Sequence, residues 1–195
     1  MNPLILTKRD IETAINQVDT IEAMERAFKC YSQGLAVVPP VGELTFEQPP
    51  GDVHIKYGYL QGGEHYVVKI ASGFYDNPTL GIPSSQGLML LFAQQTGQLC
   101  CILLDEGQLT DIRTAAAGAL VAQRLAPPRV DKIGIIGTGI QARFQLEYLK
   151  KITPCRQLVA WGRNAENTNK FIQYAIALGF DSQAVESAKE LASKA

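Results

Sequence analysis

Ile133-Gly134-Ile135-Ile136-Gly137-Thr138-Gly139-Ile140-Gln141-Ala142 is the stretch on which the fold turns. An apolar run ends in Gly-x-Gly-x-x-Ala and passes directly into a helical pattern, so strand, turn and helix follow without a linker. Each small residue has a physical task. Gly137 permits the tight turn, Gly139 lets backbone come close to a pyrophosphate, and Ala142 lets the helix sit against the strand. Free amides at the helix start then face the negative charge of a phosphate. The pattern predicts a dinucleotide turn built from Gly137, Thr138, Gly139, Ile140 and Gln141; the alternative is a strand-to-helix turn that uses small residues for packing alone.

Working outward toward the carboxyl terminus, strand and helix alternate. The spacing predicts a strand over Lys132 to Ile136, a helix over Ile140 to Ile152, a strand over Gln157 to Trp161, a helix over Ala165 to Leu178 and a weak strand near Gln183 to Val185. Such alternation implies a parallel sheet with right-handed crossovers. The second strand runs out through Val159-Ala160-Trp161-Gly162-Arg163-Asn164. An acid here would hold a ribose 2′-hydroxyl; Arg163 instead suits a 2′-phosphate, which favours NADP over NAD, unless it is simply a solvated loop charge.

Toward the amino terminus the pattern is different. Thr7 with Asp10, and Asp19 with Glu22, have capping-box spacing, and the second is followed by an apolar stripe of Ile21, Met24, Ala27, Phe28 and Tyr31 that Gly34 closes. Pro39-Pro40 and Pro49-Pro50-Gly51 forbid helix. Beyond them Val53, Ile55, Tyr57 and Tyr59 alternate with His54, Lys56 and Gly58, the period of a strand. Further strands are expected at Tyr66 to Ala71, Leu88 to Ala93 and Leu99 to Leu104, in a meandering, largely antiparallel sheet. An alanine-rich helix follows from Thr110 through Leu125, ended by Pro127-Pro128. The whole is α/β: an α+β substrate and dimerisation domain over 1–126, followed by an incomplete Rossmann-type parallel sheet over 127–195.

Net charge is -1 with no long run of either sign, which argues against an electrostatic grip on nucleic acid or an acidic membrane. Mean hydropathy near zero is that of an ordinary soluble domain. Cys30, Cys100, Cys101 and Cys155 lack metal-ligand spacing and read as reduced thiols of a cytoplasmic protein. Met1 to Leu6 is too short an apolar run for a signal peptide, and no later stretch is long enough to span a bilayer.

Three places in the front half carry chemistry. Lys69 interrupts the apolar run Val67-Val68-Lys69-Ile70, where an ammonium is costly to bury without an anion, although an edge-strand charge could point to solvent. Ser84 and Ser85 follow Gly81-Ile82-Pro83 in a turn that offers hydroxyls and amides, as plain turn residues also do. Arg113 lies one turn inside a helix start, where its planar fork can hold a carboxylate or phosphate, or can pair with Asp111 or Asp105.

The order of these features, a lysine strand, Gly-x-Pro-Ser-Ser, a Thr-Gly turn, Leu109-Thr110-Asp111-Ile112-Arg113-Thr114-Ala115-Ala116 and then Gly-x-Gly-x-Gln-Ala, resembles the ornithine cyclodeaminase and mu-crystallin family across essentially the whole chain. The resemblance implies a homodimer, NAD(H) or NADP(H), and hydride transfer at the α-carbon of an amino acid or cyclic imino acid. In the cyclodeaminase, ornithine is oxidised to an imine, ammonia leaves as the ring closes, and the hydride returns to give proline; relatives reduce ketimines or deaminate alanine. It gives Lys69 a catalytic role, holding and polarising the substrate carboxylate or reacting centre, and sets Arg113 on the carboxylate beside the cofactor. Ser84 would meet the nicotinamide end, where the family often has threonine, and Ile140 and Gln141 would lie along the pyrophosphate. A non-catalytic, mu-crystallin-like binding protein is the alternative.

Two departures qualify this. The family commonly carries an arginine near Pro39-Pro40 as a further carboxylate ligand, yet no arginine occurs between Arg26 and Arg113; His54, Lys56 or Glu43 could take that contact. The family's acid/base aspartate lies far beyond the dinucleotide motif, so no residue here is given that role. The strand at Ile133 to Ile136 is then expected at an open edge, with weak dinucleotide binding and no turnover by the chain alone.

Overall fold

The computed structural model describes residues 2–195, so Met1 of the amino-terminal apolar run lies outside it. Contacts divide the chain into two units, 1–110 and 111–195. The division falls inside the alanine-rich helix, which runs on to Leu125, just short of the Pro127-Pro128 joint anticipated from sequence.

The first unit begins with a short strand, β1 (Leu4–Thr7), and two helices, α1 (Lys8–Ile15) and α2 (Thr20–Ser32). Thr7 and Asp10 close a full capping box on α1. Asp19 caps α2 from one side, its Oδ1 accepting from the amides of Ile21 and Glu22. The apolar stripe of α2 has the anticipated spacing but no buried residue: Phe28 is 47% and Tyr31 63% exposed. Gly34, at φ +73°, ends the helix in the left-handed conformation that glycine adopts without cost.

Next come β2 (Ala36–Val37), β3 (Gly42–Phe46), β4 (Gly51–Leu60), β5 (His65–Phe74), a 3-10 turn (Asn77–Leu80), β6 (Ser85–Ala93) and β7 (Leu99–Leu104). They form one seven-stranded sheet of order β1-β7-β6-β5-β4-β2, with β3 also on β4. Strands β4 to β7 are the antiparallel meander read from sequence, but β1 runs parallel to β7, so the sheet is mixed. Register separates its faces. Ile55, Ile70 and Leu88 are aligned on one, with Tyr57, Val68 and Leu90 beside them; Lys56, Lys69 and Met89 are aligned on the other.

Helix α3 (Gln108–Leu125) starts two residues before Thr110, because Asp105, 1% exposed, accepts from the Leu109 amide and caps it. The turn before it needs positive φ at both Glu106 and Gly107. In the second unit, Ala115, Ala116 and Ala119 are fully buried, as close helix packing requires.

There β8 (Ile133–Ile136), α4 (Ile140–Ile152), β9 (Gln157–Trp161), α5 (Ala165–Ala177), β10 (Asp181–Ala184) and α6 (Ala188–Lys194) alternate. The strands form a parallel sheet of order β10-β9-β8, with β8 at an edge. Leu146 of α4 and Phe171 and Ala175 of α5 pack with Ile133, Leu158 and Ala160 into one core. Val159, Val185 and Leu191 of α6 form a second. A Cβ at Gly134 would come within 2.7 Å of Ala195 and 2.9 Å of Leu191, so β8 keeps a glycine where α6 lies on it. Helices α4 and α5 are joined by Tyr174, whose hydroxyl donates to Glu147 beneath the Arg143 guanidinium, 4.5 Å from the ring centre. Burial pushes the Tyr174 phenol well above its usual value, and the Glu147 carboxylate adds to this.

Candidate functional site

Strand β8 delivers the chain to Gly137, at φ +97°, a conformation that any residue with a Cβ adopts only under strain. The Gly137 amide donates to the Trp161 carbonyl at 2.8 Å, which ties the turn to the end of β9. Gly139 then stands at the N-cap of α4 with no side-chain cap, so the first amides of the helix face outward without an internal acceptor. A Cβ built at Gly137 or Gly139 meets nothing within 4 Å. The turn is open, at the carboxyl ends of parallel strands, the geometry in which helix amides meet phosphate oxygens.

The neighbouring turn is pressed against it. A Cβ at Gly162 would lie 2.8 Å from Thr168 Oγ1 and 2.9 Å from Thr138, so glycine is needed where β9 leaves the sheet. Arg163 follows, exposed and without a hydrogen bond or ion pair among the described residues. The indole of Trp161 donates to the Glu186 carbonyl at 3.2 Å. Thus Gly137, Thr138, Gly139, Ile140 and Arg163 come together at one end of this sheet; Ile140 is 57% exposed.

Gln141 sits in the same turn, but its side chain points elsewhere. Nε2 donates to Asp111 Oδ1 at 2.6 Å and approaches the Asp111 carbonyl at 3.4 Å. Gln145, one turn on, donates to the Thr114 carbonyl at 3.2 Å. These bonds lock α4 to α3, and what Gln141 offers the turn is its backbone amide. The sequence shows Gln141 as part of the motif; its partner Asp111 gives no signal there.

In the first unit, Lys69 is at the middle of β5, a central strand, half-buried rather than at an edge. Its Nζ donates to Thr110 Oγ1 at 3.3 Å, so the start of α3 lies over the lysine face of the sheet. Gly87 confirms which face is covered, since a Cβ there would sit 3.6 Å from the Gly107 Cα. On the same face His54 lies between two carboxylates, Nδ1 3.3 Å from Asp52 and Nε2 3.5 Å from Glu43. Tyr75 donates to the other Asp52 oxygen, and that hydrogen bond pushes its phenol above the usual value.

Ser84 follows the Gly81 turn, and its carbonyl accepts from Phe74 at 2.8 Å. Arg113 is exposed on α3; of the two acids considered for it, Asp111 accepts from Gln141 and Asp105 accepts from the Leu109 amide. The four cysteines are free, with Cys101 and Cys155 buried. Among the described residues no group of three or more His, Cys, Asp or Glu is placed to hold a metal ion, and no helix is long and apolar enough to cross a membrane.

Comparison with known proteins agrees with this geometry. Residues 1–195 match the model of the Ornithine cyclodeaminase/mu-crystallin family. An uncharacterized cyclodeaminase of Sinorhizobium fredii is 39% identical over 162 residues, 82% of this chain and 49% of that protein. The structure of Thermococcus litoralis Delta(1)-pyrroline-2-carboxylate reductase, in complex with NADH and L-proline, superposes with a TM-score of 0.90 at 32% identity, over 98% of this chain and 59% of that one. An archaeal alanine dehydrogenase dimer with bound NAD gives a TM-score of 0.88 at 31% identity, over 98% and 58%. The chain spans about half the length of the curated relatives it matches.

Proposed function

Because this chain belongs to the ornithine cyclodeaminase/mu-crystallin family, we propose that it serves an NAD(P)-dependent oxidoreductase of amino and imino acids, with 1–126 forming the substrate and dimerisation domain and 127–195 the dinucleotide-binding domain. The observation that carries this reading is the open Gly137–Gly139 turn at the carboxyl ends of β8 and β9, with space above both glycines and uncapped helix amides behind them. The relatives support it, since one is named a reductase held with NADH and L-proline and another a dehydrogenase with bound NAD.

The dinucleotide, when bound, supplies the hydride acceptor or donor. The amides following Gly139 hold the pyrophosphate, and the absence of any Cβ at Gly137 and Gly139 keeps backbone close to it. Arg163, exposed and unpaired, takes the ribose 2′-phosphate, so NADP(H) is favoured over NAD(H). Ser84 meets the nicotinamide end. Lys69 and Arg113 hold the substrate carboxylate; the half-buried Lys69 ammonium also polarises the reacting centre, which favours hydride addition to an imine carbon there. A single positive charge beside a carboxylate is strong only where water is scarce, which the half-burial of Lys69 supports.

Two copies of the chain associate through the first unit. Supporting this are the exposed stripe of α2, the part-open Tyr57, Tyr59 and Leu60 of β4, and the dimer named for the archaeal relative. The test is a titration of the protein with NADPH and NADH followed by fluorescence, repeated with L-proline and L-alanine. Saturable binding, tighter for NADPH, is expected. No saturable binding of either dinucleotide would remove the basis for this function.

A further inference from the structure

Two turns of the second unit meet over Gly162. One is the Gly137–Gly139 turn that follows β8; the other, Gly162 to Asn164, leaves β9 and carries Arg163. A Cβ built on Gly162 would stand 2.9 Å from both Oγ1 and Cγ2 of Thr138 and 2.8 Å from Oγ1 of Thr168. Thr138 belongs to the first turn and Thr168 lies in the first turns of α5, so three segments touch where Gly162 has no side chain. The backbone ties the same two turns, since the Gly137 amide donates to the Trp161 carbonyl at 2.8 Å.

Thr168 is 4% exposed, and its hydroxyl donates to the Asn164 carbonyl at 2.9 Å while lying 3.5 Å from the Gly162 carbonyl. A bond back to the residue four positions earlier is ordinary for a helical threonine. The contact with Gly162, ahead of the helix, is not part of that habit. The Asn164 carbonyl also accepts from the Thr168 amide at 3.0 Å, and the Asn164 side chain accepts from the Asn167 amide at 2.9 Å. Backbone is thus fixed on both sides of Arg163, while the Arg163 side chain is exposed.

We infer that Thr168 is a positioning residue for cofactor choice: its buried hydroxyl sets the backbone on either side of Arg163, and so sets where the guanidinium stands relative to the glycine turn. The inference rests on the proposed function, in which Arg163 takes a ribose 2′-phosphate, and adds to it the group that aims the arginine. Ordering a long side chain on a ligand costs conformational entropy, and a backbone already fixed keeps that cost to the side chain alone. A guanidinium is strongest on a phosphate when two of its donors reach two oxygens together, so a small displacement of the Arg163 backbone weakens the contact. NADH carries a hydroxyl in place of that phosphate, and its affinity does not depend on the aim.

The test is calorimetric titration of the full chain with NADPH and with NADH. Wild type is compared with Thr168→Val, Thr168→Ser, Arg163→Ala and the Arg163→Ala/Thr168→Val double variant. Thr168→Val removes the hydroxyl and is expected to weaken NADPH roughly 5–20-fold and NADH by less than about twofold. Thr168→Ser keeps the hydroxyl and should keep the wild-type ratio of the two affinities. With Arg163→Ala already present, adding Thr168→Val should change NADPH affinity by less than about twofold, because the arginine it aims is gone. If Thr168→Val loses its single cooperative unfolding transition, Thr168→Ala carries the same comparison without a methyl pressed on Gly162. An unchanged ratio in the folded hydroxyl-free variant, an equal loss for both dinucleotides, a ratio that Thr168→Ser does not restore, or a full further loss in the double variant overturns the positioning role. The reading of Arg163 survives each of these if wild type favours NADPH and Arg163→Ala abolishes that preference. No preference in wild type, or no binding of either dinucleotide, overturns both.

Discussion

Gln141 Nε2 donates to Asp111 Oδ1 at 2.6 Å, so the side chain just after the glycine turn is spent on joining two helices. The Gln141 Oε1 atom is buried with no partner, a second sign that the group is wedged into packing. Gln141→Ala is expected to lower stability by about 1–2 kcal/mol in a denaturant titration, because Asp111 loses its donor in a part-buried place. NADPH affinity should change by less than about threefold, as only the backbone of residue 141 faces the turn. A large affinity loss without destabilisation would move the side chain onto the ligand.

The two glycines of the turn should behave differently. Gly137→Ala forces a Cβ into φ +97° and is expected to cost about 1–2 kcal/mol of stability. Gly139 has φ -81°, which alanine adopts freely, and open space around it. Gly139→Ala should therefore unfold like wild type but bind dinucleotide at least about tenfold more weakly, as its methyl occupies the place of close approach. Equal dinucleotide affinity in Gly139→Ala and wild type would show that nothing approaches that backbone.

Arg163 tests cofactor choice. Arg163→Ala should weaken NADPH roughly 10–100-fold and leave NADH within about threefold, because only the former carries the 2′-phosphate. Parallel titrations with the two dinucleotides give the ratio directly. A ratio that does not move returns Arg163 to the status of a solvated loop charge.

Acidification should loosen α6. The hydrogen bond from Lys194, and then the Glu186 amide, hold the Glu190 carboxyl below its ordinary value of 4.5. A carboxyl with a lowered folded value stabilises the fold above its unfolded value, and that support is lost as pH falls through the folded value. Protection of the α6 amides from hydrogen exchange should thus decline from about pH 4.5 downward. Glu190→Gln should have weaker protection at neutral pH and a flatter profile; an identical profile in the variant would assign the acid response elsewhere.

Much of this was legible before any coordinates, for identifiable reasons. Helix α4 and strand β9 fall on the residues anticipated for them, because Gly139 opens the helix, Pro154 follows its end and Gly162 follows the strand. Strand β1 gave no signal: Leu4 and Ile5 are four-residue-strand neighbours, both more than half exposed, and the strand exists by parallel pairing to β7 across the length of the unit. Helix α6 has only Leu191 buried, too little to make a periodic stripe. Strand β3 is exposed throughout. At the site, the glycine turn was visible because backbone conformation restricts residue type. The Gln141–Asp111 bond and the Lys56–Lys69 pairing were not, since register and helix packing join residues that the chain keeps far apart.

Trp161 is the sole tryptophan of the chain, and its carbonyl is the anchor for the Gly137 amide. The molecule thus carries a built-in optical gauge at the mouth of the turn: indole emission overlaps the absorption of a reduced nicotinamide, so quenching by energy transfer reports arrival of the nucleotide without any attached label.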